Sequence, residues 1–567
     1  MINQEREQKM SYIGITVGPI LDTLSRTSSP VGVWFASYFF SIITRDLCIE
    51  LQENAYEVFS LPEGHIVKDH LYDTPGVGRY HDRIYACKER GAREIEVDVK
   101  KFINNVLHVR ASELSQCMVD ARTTEDIYTE LSSYIQIHYI ILEEKDISDK
   151  GIIMSLSEAL SCLELSRGVR ADAQKLYMHQ VLYGTKAGGS NVYLKNYPPL
   201  IDAAAANRDF LLAEATINGL EIHNLEHLAT LGAMNIDAPD TKKIQRYFAV
   251  VQCDGDNMGH LLTDRINLSD PEAQKKRQQR VTEHCMSFSG SAIKDISEYG
   301  GYAIYAGGDD LLFFAPVIGK TGKTIWEFCC DLSDIFSKSF EEFSKEGVDP
   351  SKVSLSIGLS INYYKYPLYE AMSDAMSLLF DVAKDFTDGR KAELIKNNIA
   401  SRIRKASGSS SGFVCQMNPS RLKETDNASG LAGPYIYKEY IRLLNNYYLT
   451  GDTGEKDNVM HSLLYHMESM SRLFEAALDA DTYADSASGN SSHTEQLFNN
   501  YFDNENQAFG KTMVTDIAKF TDLAWMSWQD HLVKGINSPG GRAPHDNGVF
   551  AATSMLRTAK FLLEERR

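Results

Sequence analysis

Cysteine is sparse in this chain: its 567 residues include nine, placed singly apart from the adjacent Cys329 and Cys330, with no CxxC pair. That spacing supports neither a disulfide framework nor a zinc knuckle and fits a reducing compartment, so a cytoplasmic protein is expected. Basic residues are also short, 58 Lys and Arg against 77 Asp and Glu, for a formal net charge of -19. Bulk electrostatic attraction to nucleic acid is thereby excluded, because phosphate binding needs lysine and arginine close to the backbone; a local basic patch is still compatible. Long apolar runs are missing as well. The longest, "GVWFASYFFSIIT" from Gly32 to Thr44, is about thirteen residues, against the roughly twenty that a membrane span needs, and reads as a buried helix. The opening "MINQEREQKM" is charged, and no apolar segment with a cleavage site follows it.

What the chain does have is an ordered alternation of elements. "IQRYFAVVQCD", Ile244 to Asp254, is β-rich and apolar, as a central strand is. The helical run "PEAQKKRQQRVTEHCMSFSGSAIKDISEYG" follows, and then "GYAIYAGGDDLLFFAP", which reads as strand, tight turn and strand. A second helical run, "TIWEFCCDLSDIFSKSFEEFSKEG", leads to the strand "VSLSIGLSINYY" and the helical "PLYEAMSDAMSLLFDVAKDF". The order β-α-β-β-α-β predicts a ferredoxin-like sheet with an added helix. Residues 1–170 repeat it faintly: "YIGITVGPI" and "YIQIHYIILE" as strands, "GVWFASYFFSIITRDLCIELQ" as a helix, and "GVGRYHDRIYA" in the hairpin position without adjacent acids. The reading is an α+β chain: a degenerate first copy at 1–170, a mainly helical connector at 171–240, the acid-bearing copy at 241–415 and a helical C-terminal domain at 416–567. "KASGSSSGF", Lys405 to Phe413, reads as a flexible break before that last domain.

Two acidic clusters fall at strand ends of the second copy: "CDGDNMG", with Asp254 and Asp256, and the Asp309-Asp310 pair of "YAGGDDLLFF", about fifty-five residues later. In this topology the first strand lies beside the hairpin, so the clusters meet at one edge of the sheet. Carboxylates gathered there raise one another's pKa unless positive charge sits among them. Hard divalent cations supply that charge and prefer oxygen ligands, and a pair of them suits displacement at an α-phosphate. Gly307 and Gly308 let a triphosphate approach the backbone closely. Either motif alone is as well explained by a surface turn, since glycine and aspartate are common there; their order within one unit is what points to a metal-nucleotide site.

At these residues the chain resembles the large, palm-domain subunit of type III CRISPR effector complexes, Cmr (III-B) branch. The pieces that carry the resemblance are "CDGDNMG", "YAGGDDLLFF", "LSIGLSINYYKYPLYEAMSDA" and "KNNIASRIRKASGSSSG", with "ITVGPILDTLS" and "VWFASYFFS" similar to the family's inactive first palm. The hairpin is also similar to that of GGDEF diguanylate cyclases, but Leu311 and Leu312 stand at the last two positions.

The resemblance implies two ferredoxin-like palms of the nucleotidyl cyclase kind. It implies conversion of ATP, on pairing of guide RNA with a foreign transcript, into an adenylate second messenger, a cyclic oligoadenylate or a related adenosyl conjugate. Carried over by motif, Asp254, Asp309 and Asp310 are the catalytic acids and ligands of two Mg2+ or Mn2+ ions, and Gly307 and Gly308 border the triphosphate. Ser356 is a candidate adenine contact and Lys396 a candidate phosphate contact; Asp256 stands between a ligand and a cap of its own turn. Arg390, Arg402 and Arg404 read as solvated helix charges or as further contacts. The implied partners are the other Cmr-type subunits, the small helical subunit among them, with guide and target RNA; no membrane is implied. The "HD" in the hairpin position, His81-Asp82, has no companion histidines, so no DNase activity is expected, and no zinc is expected because residues 163–252 lack cysteine. A standalone cyclase that needs no RNA and a non-catalytic scaffold remain the alternatives.

Overall fold

The computed structural model describes residues 10–25, 30–69, 77–116, 123–165, 229, 243–348, 353–386, 396–417, 436–448, 453–483, 492–502, 508–536 and 547–564. The expected connector at 171–240 lies outside the described residues except for Ala229, and so does Arg390.

Two sheets organise the chain. The first holds β1 (Met10–Gly18), β2 (Glu57–Val58), β3 (Arg83–Glu89) and β4 (Gln136–Glu143) in the order β2-β3-β1-β4. Helices α1 (Pro30–Glu53), α2 (Ala92–Gln116), α3 (Thr124–Tyr134) and α4 (Ile152–Leu165) accompany it. The second begins with β5 (Tyr247–Asp256), β6 (Tyr302–Gly307), β7 (Asp310–Pro316) and β8 (Ser354–Tyr363), with α5 (Pro271–Tyr299), α6 (Ile325–Ser339) and α7 (Leu368–Ser377) between or after them. Its order, β6-β7-β5-β8, is that of the first sheet, so the faint repeat in the sequence is a repeat of topology. This is the α+β, ferredoxin-like architecture expected.

The sheet then grows beyond the expected unit. β9 (Asn398–Arg404) lies parallel to β8, β10 (Ser410–Gln416) pairs antiparallel with β9, and β11 (Val533–Ile536) adds an edge strand from the C-terminal region. The stretch read as a flexible break is therefore a hairpin: Lys405 N donates to Ser409 O at 2.9 Å, and Ile399, Ile403, Phe413 and Cys415 are buried. Serine and glycine mark the turn, but the alternating apolar residues on either side have a sheet to join, and burial overrides the flexible composition. The C-terminal helices α8 (Ile436–Tyr448), α9 (Thr453–Ser469), α10 (Ser471–Tyr483), α11 (His493–Phe502), α12 (Ala508–Gln529) and α13 (Gly548–Glu564) pack into the same core as this sheet.

β5 is apolar on both faces because both are covered. Tyr247, Ala249, Val251 and Cys253 enter the core shared with α5, α6 and the C-terminal helices, while Phe248 and Val250 enter the core that contains Trp34 and Phe39 of α1. The period of two along the strand thus joins the two units through one continuous interior. α5 starts where Asp270 accepts from the backbone of Glu272 and Ala273, with Pro271 at its first position, and stops at Gly300 in the left-handed region (φ 102°). No described helix is long and apolar enough to cross a membrane.

One carboxylate of the C-terminal region gives a pH-dependent stability. Burial first, and the neighbouring Asp481 as well, push Asp522 up to about 6 against opposing hydrogen bonds from Thr494 and Ser492. Its Oδ1 has no hydrogen-bond partner among the described residues. The folded state then binds the extra proton between about pH 4 and 6, so stability is greatest below that window and declines as pH rises through it. Asp522→Asn is expected to stabilise the chain by about 2 kcal/mol at pH 8 and to leave it unchanged at pH 4, measured as denaturation midpoints.

Candidate active site

β5 runs antiparallel to β7, so its C-terminal end lies beside the start of β7, where the hairpin turns. Asp254 is near that end of β5, Asp309 lies in the turn and Asp310 opens β7. One carboxylate oxygen from each lies within 4.8 Å of the other two. The turn has two central residues, between the paired Gly307 and Asp310, and Gly308 takes φ +85°. A positive φ at the first central position is the type II′ arrangement, which matches the twist of the flanking strands and favours glycine there.

The approach of Asp309 to β5 depends on Gly255. A Cβ at that position would lie 2.8 Å from Asp309 Oδ2 and 2.9 Å from its Cβ, so any side chain at 255 competes with the carboxylate for its place. Asp310 is held well above the usual carboxylate range by burial, then by Asp309 and Asp82. Burial raises Asp309 as well, opposed by His81. Among the described residues no ion pair reaches Asp309 or Asp310, while Asp254 pairs with Lys384. Three crowded acidic groups, with a side-chain-free cradle at Gly255, form an all-oxygen donor set that fits a hard divalent cation. Protonation of the cluster is the alternative when no cation binds.

The other expected residues divide. Lys396 stands close by, with Nζ donating to Lys384 O at 3.1 Å. Ser356 is a correction: it is fully buried, and its hydroxyl donates to Asp256 Oδ2 at 2.7 Å, which leaves no face for an adenine. The same Oδ2 accepts from Ser354 Oγ at 2.7 Å and Asn397 N at 3.0 Å, so Asp256 ties together β5, β8 and the approach to β9. Burial still raises its pKa against those hydrogen bonds. Arg402 and Arg404, both half-buried, pair with Asp374 of α7 and are not solvated charges.

Two residues were missed in the sequence. Lys384 reaches both Asp254 and the Gly255 carbonyl, the latter at 2.9 Å. It follows a π-helical stretch, Leu378–Ala383, that extends α7, and such stretches often re-aim side chains at functional sites. A lone lysine in "FDVAKDF" carries no sequence signal for this role. Tyr305 lies across Gly307, its hydroxyl 1.9 Å from where a Cβ would be, and burial followed by the nearby acids keeps that hydroxyl protonated.

Residues 247–394 match the family model described as Cas10/Cmr2, second palm domain. Its second palm is of the Cas10/Cmr2 type. Over 182 residues the chain is 31% identical to the CRISPR system Cmr subunit Cmr2 of Pyrococcus furiosus, a match that covers 29% of this chain and 19% of that protein. The chain thus matches about a fifth of this curated relative's length. The likeness of fold extends further. The cryo-EM structure of the type III-B Cmr-beta bound to cognate target RNA superposes with TM-score 0.55 at 12% identity, covering 99% of this chain and 83% of that one. The apo state of Cmr-beta gives 0.52 at 11% identity, with coverage of 98% and 82%.

Gly255→Ala tests the cradle. Its methyl displaces Asp309 without removing a carboxylate, and Mn2+ affinity of the purified chain is expected to fall about tenfold or more, read by titration of the metal alone.

Proposed function

We propose that this chain is the nucleotide-transferring large subunit of a type III-B CRISPR effector complex. Its reaction converts ATP into an adenylate second messenger, a cyclic oligoadenylate or related adenosyl conjugate, when guide RNA pairs with target RNA. The observation that carries the reading is the convergence of Asp254, Asp309 and Asp310 at one sheet edge, in a stretch matched by the Cas10/Cmr2 second palm model.

The three carboxylates are the residues that hold Mg2+ or Mn2+. Two such ions, when bound, supply charge that offsets the acids and the α-phosphate during displacement. The chain's own part is positioning. Gly307 and Gly308 border the triphosphate through their backbone, since Tyr305 and His81 fill the space where their side chains would stand, and Lys384 and Lys396 offer ammonium groups to its oxygens. A ribose hydroxyl of a second adenosine-bearing molecule attacks the α-phosphorus in line; its new P–O bond forms as the bond to pyrophosphate breaks. No protein nucleophile is required, so orientation and electrostatics provide the acceleration.

Target RNA acts at a distance from this chemistry, which makes its effect allosteric. The Cmr-beta structure with this fold holds cognate target RNA, and we carry that partner, the guide RNA, the other Cmr-type subunits and the small helical subunit into the proposal. The acidic net charge of -19 suits a subunit whose RNA is gripped by its neighbours, in a cytoplasmic complex.

The test is an Asp309→Ala, Asp310→Ala double variant in the assembled complex, given labelled ATP with and without target RNA. Pyrophosphate and adenylate products are expected to disappear while assembly stays intact. Products at the wild-type level would refute the site. Full turnover by the isolated chain without RNA would favour a standalone cyclase.

A further inference from the structure

The segment "VGRYHD", 77–82, occupies the hairpin position of the first unit but is not a hairpin: β3 begins only at Arg83. The segment reaches into the second unit. Gly78 forms a parallel bridge with Tyr305, and its carbonyl accepts from Ala306 N at 2.9 Å, which covers the outer edge of β6. Such edges are otherwise open to pairing with another chain.

The anchoring is dense. Ser41 Oγ of α1 accepts from Arg79 N and Tyr80 N, both at 3.0 Å. Ser37 Oγ, one turn earlier, donates to Ile304 O of β6 at 3.1 Å. Arg79, buried, donates from Nη2 to Met286 O at 2.5 Å and Ser289 Oγ at 3.0 Å on α5. Asp82 O accepts from Val17 N of β1 at 2.9 Å. Between these fixed points stands His81. A Cβ placed on Gly308 would lie 2.1 Å from His81 Cε1 and 2.6 Å from Nε2, so the imidazole fills the space on that side of the acid-bearing turn.

We propose that His81, delivered by the first unit, is a positioning residue for the second: its ring buttresses the turn at Gly308 and so holds Asp309 and Asp310 against Asp254. The inference rests on the functional reading above and deepens it, because it gives the acid-poor copy a direct part in the site. Among the described residues that copy gathers no metal-ligating cluster of its own; it instead sets the geometry of its sister's.

The experiment uses the full chain for metal binding and melting, and the assembled complex for turnover. His81→Ala is expected to lower Mn2+ affinity, titrated with the metal alone, and kcat for ATP by about 10–100-fold, at an unchanged melting temperature. His81→Gln, which keeps a planar polar group in the space, is expected to restore most of both. Gly308→Ala, strained at φ +85° and clashing with the ring, is expected to lose Mn2+ binding, and combining it with His81→Gly to regain the part that the clash removes. This pair answers independently of how His81→Ala folds. Wild-type Mn2+ affinity in His81→Ala, or a lowered melting temperature with unchanged affinity, would overturn the buttress. Absence of Mn2+ binding in the wild-type chain would instead overturn the functional reading.

Discussion

Three carboxylates that share a space of 4.8 Å dominate the energetics of this molecule's second palm. At that spacing each charged pair repels by about 3 kcal/mol for an effective dielectric of roughly 20, and burial adds a desolvation cost to every charge. A chain gains nothing in stability from such an arrangement. The surrounding structure nevertheless enforces it, through the antiparallel pairing of β5 with β7, the missing side chain at Gly255 and the left-handed Gly308. Among the described residues only Lys384 forms an ion pair with the cluster, and it does so at Asp254. The remaining imbalance is what a hard divalent cation would offset, and this is the physical basis of the proposed function.

The two palms divide labour through a shared topology. Each orders its four core strands in the same way, yet among the described residues the metal-compatible cluster of acids lies in the second. α1 packs into the core that also takes Phe248 and Val250 of β5 and Ile304 of β6, so the units are not separable layers. The 77–82 segment extends that union to the rim of the site, where backbone pairing with β6 and the Arg79 contacts to α5 leave little freedom for the loop that carries His81. In physical terms the first unit packs against the like-charged turn through backbone pairing and buried hydrogen bonds.

Beneath the acids, Asp256 shows how a motif residue can serve architecture. It lies two positions from Asp254, but its Oδ2 accepts three hydrogen bonds from β8 and the approach to β9. Breaking such a buried knot leaves several polar groups without partners. Asp374 plays a similar part at α7, where it gathers Ser360, Arg402 and Arg404. These knots hold α7 and β9 against the sheet and so fix the take-off of Lys384.

Much of this was legible in residue order alone. β-rich apolar runs marked β1, β4, β5 and β8, and the succession of strand and helix patterns implied the sheet order that puts position 254 beside 309, because antiparallel neighbours join the end of one strand to the start of the next. The acid pair and its glycines were legible for the same reason: turn chemistry is local. The hairpin at 405–409 was not, since serine and glycine look alike in a free linker and in a turn whose flanking strands have a sheet to join. Nor were Lys384, Gly255 and His81, whose significance lies in through-space distances to residues far along the chain. Ser356 came from the resemblance, and a shared motif does not tell that its hydroxyl is buried against Asp256. Sequence determined the elements, their order and the acids; tertiary packing decided which cations, hydroxyls and first-palm residues meet those acids, because contact between distant segments is set by how the cores close and not by any local pattern.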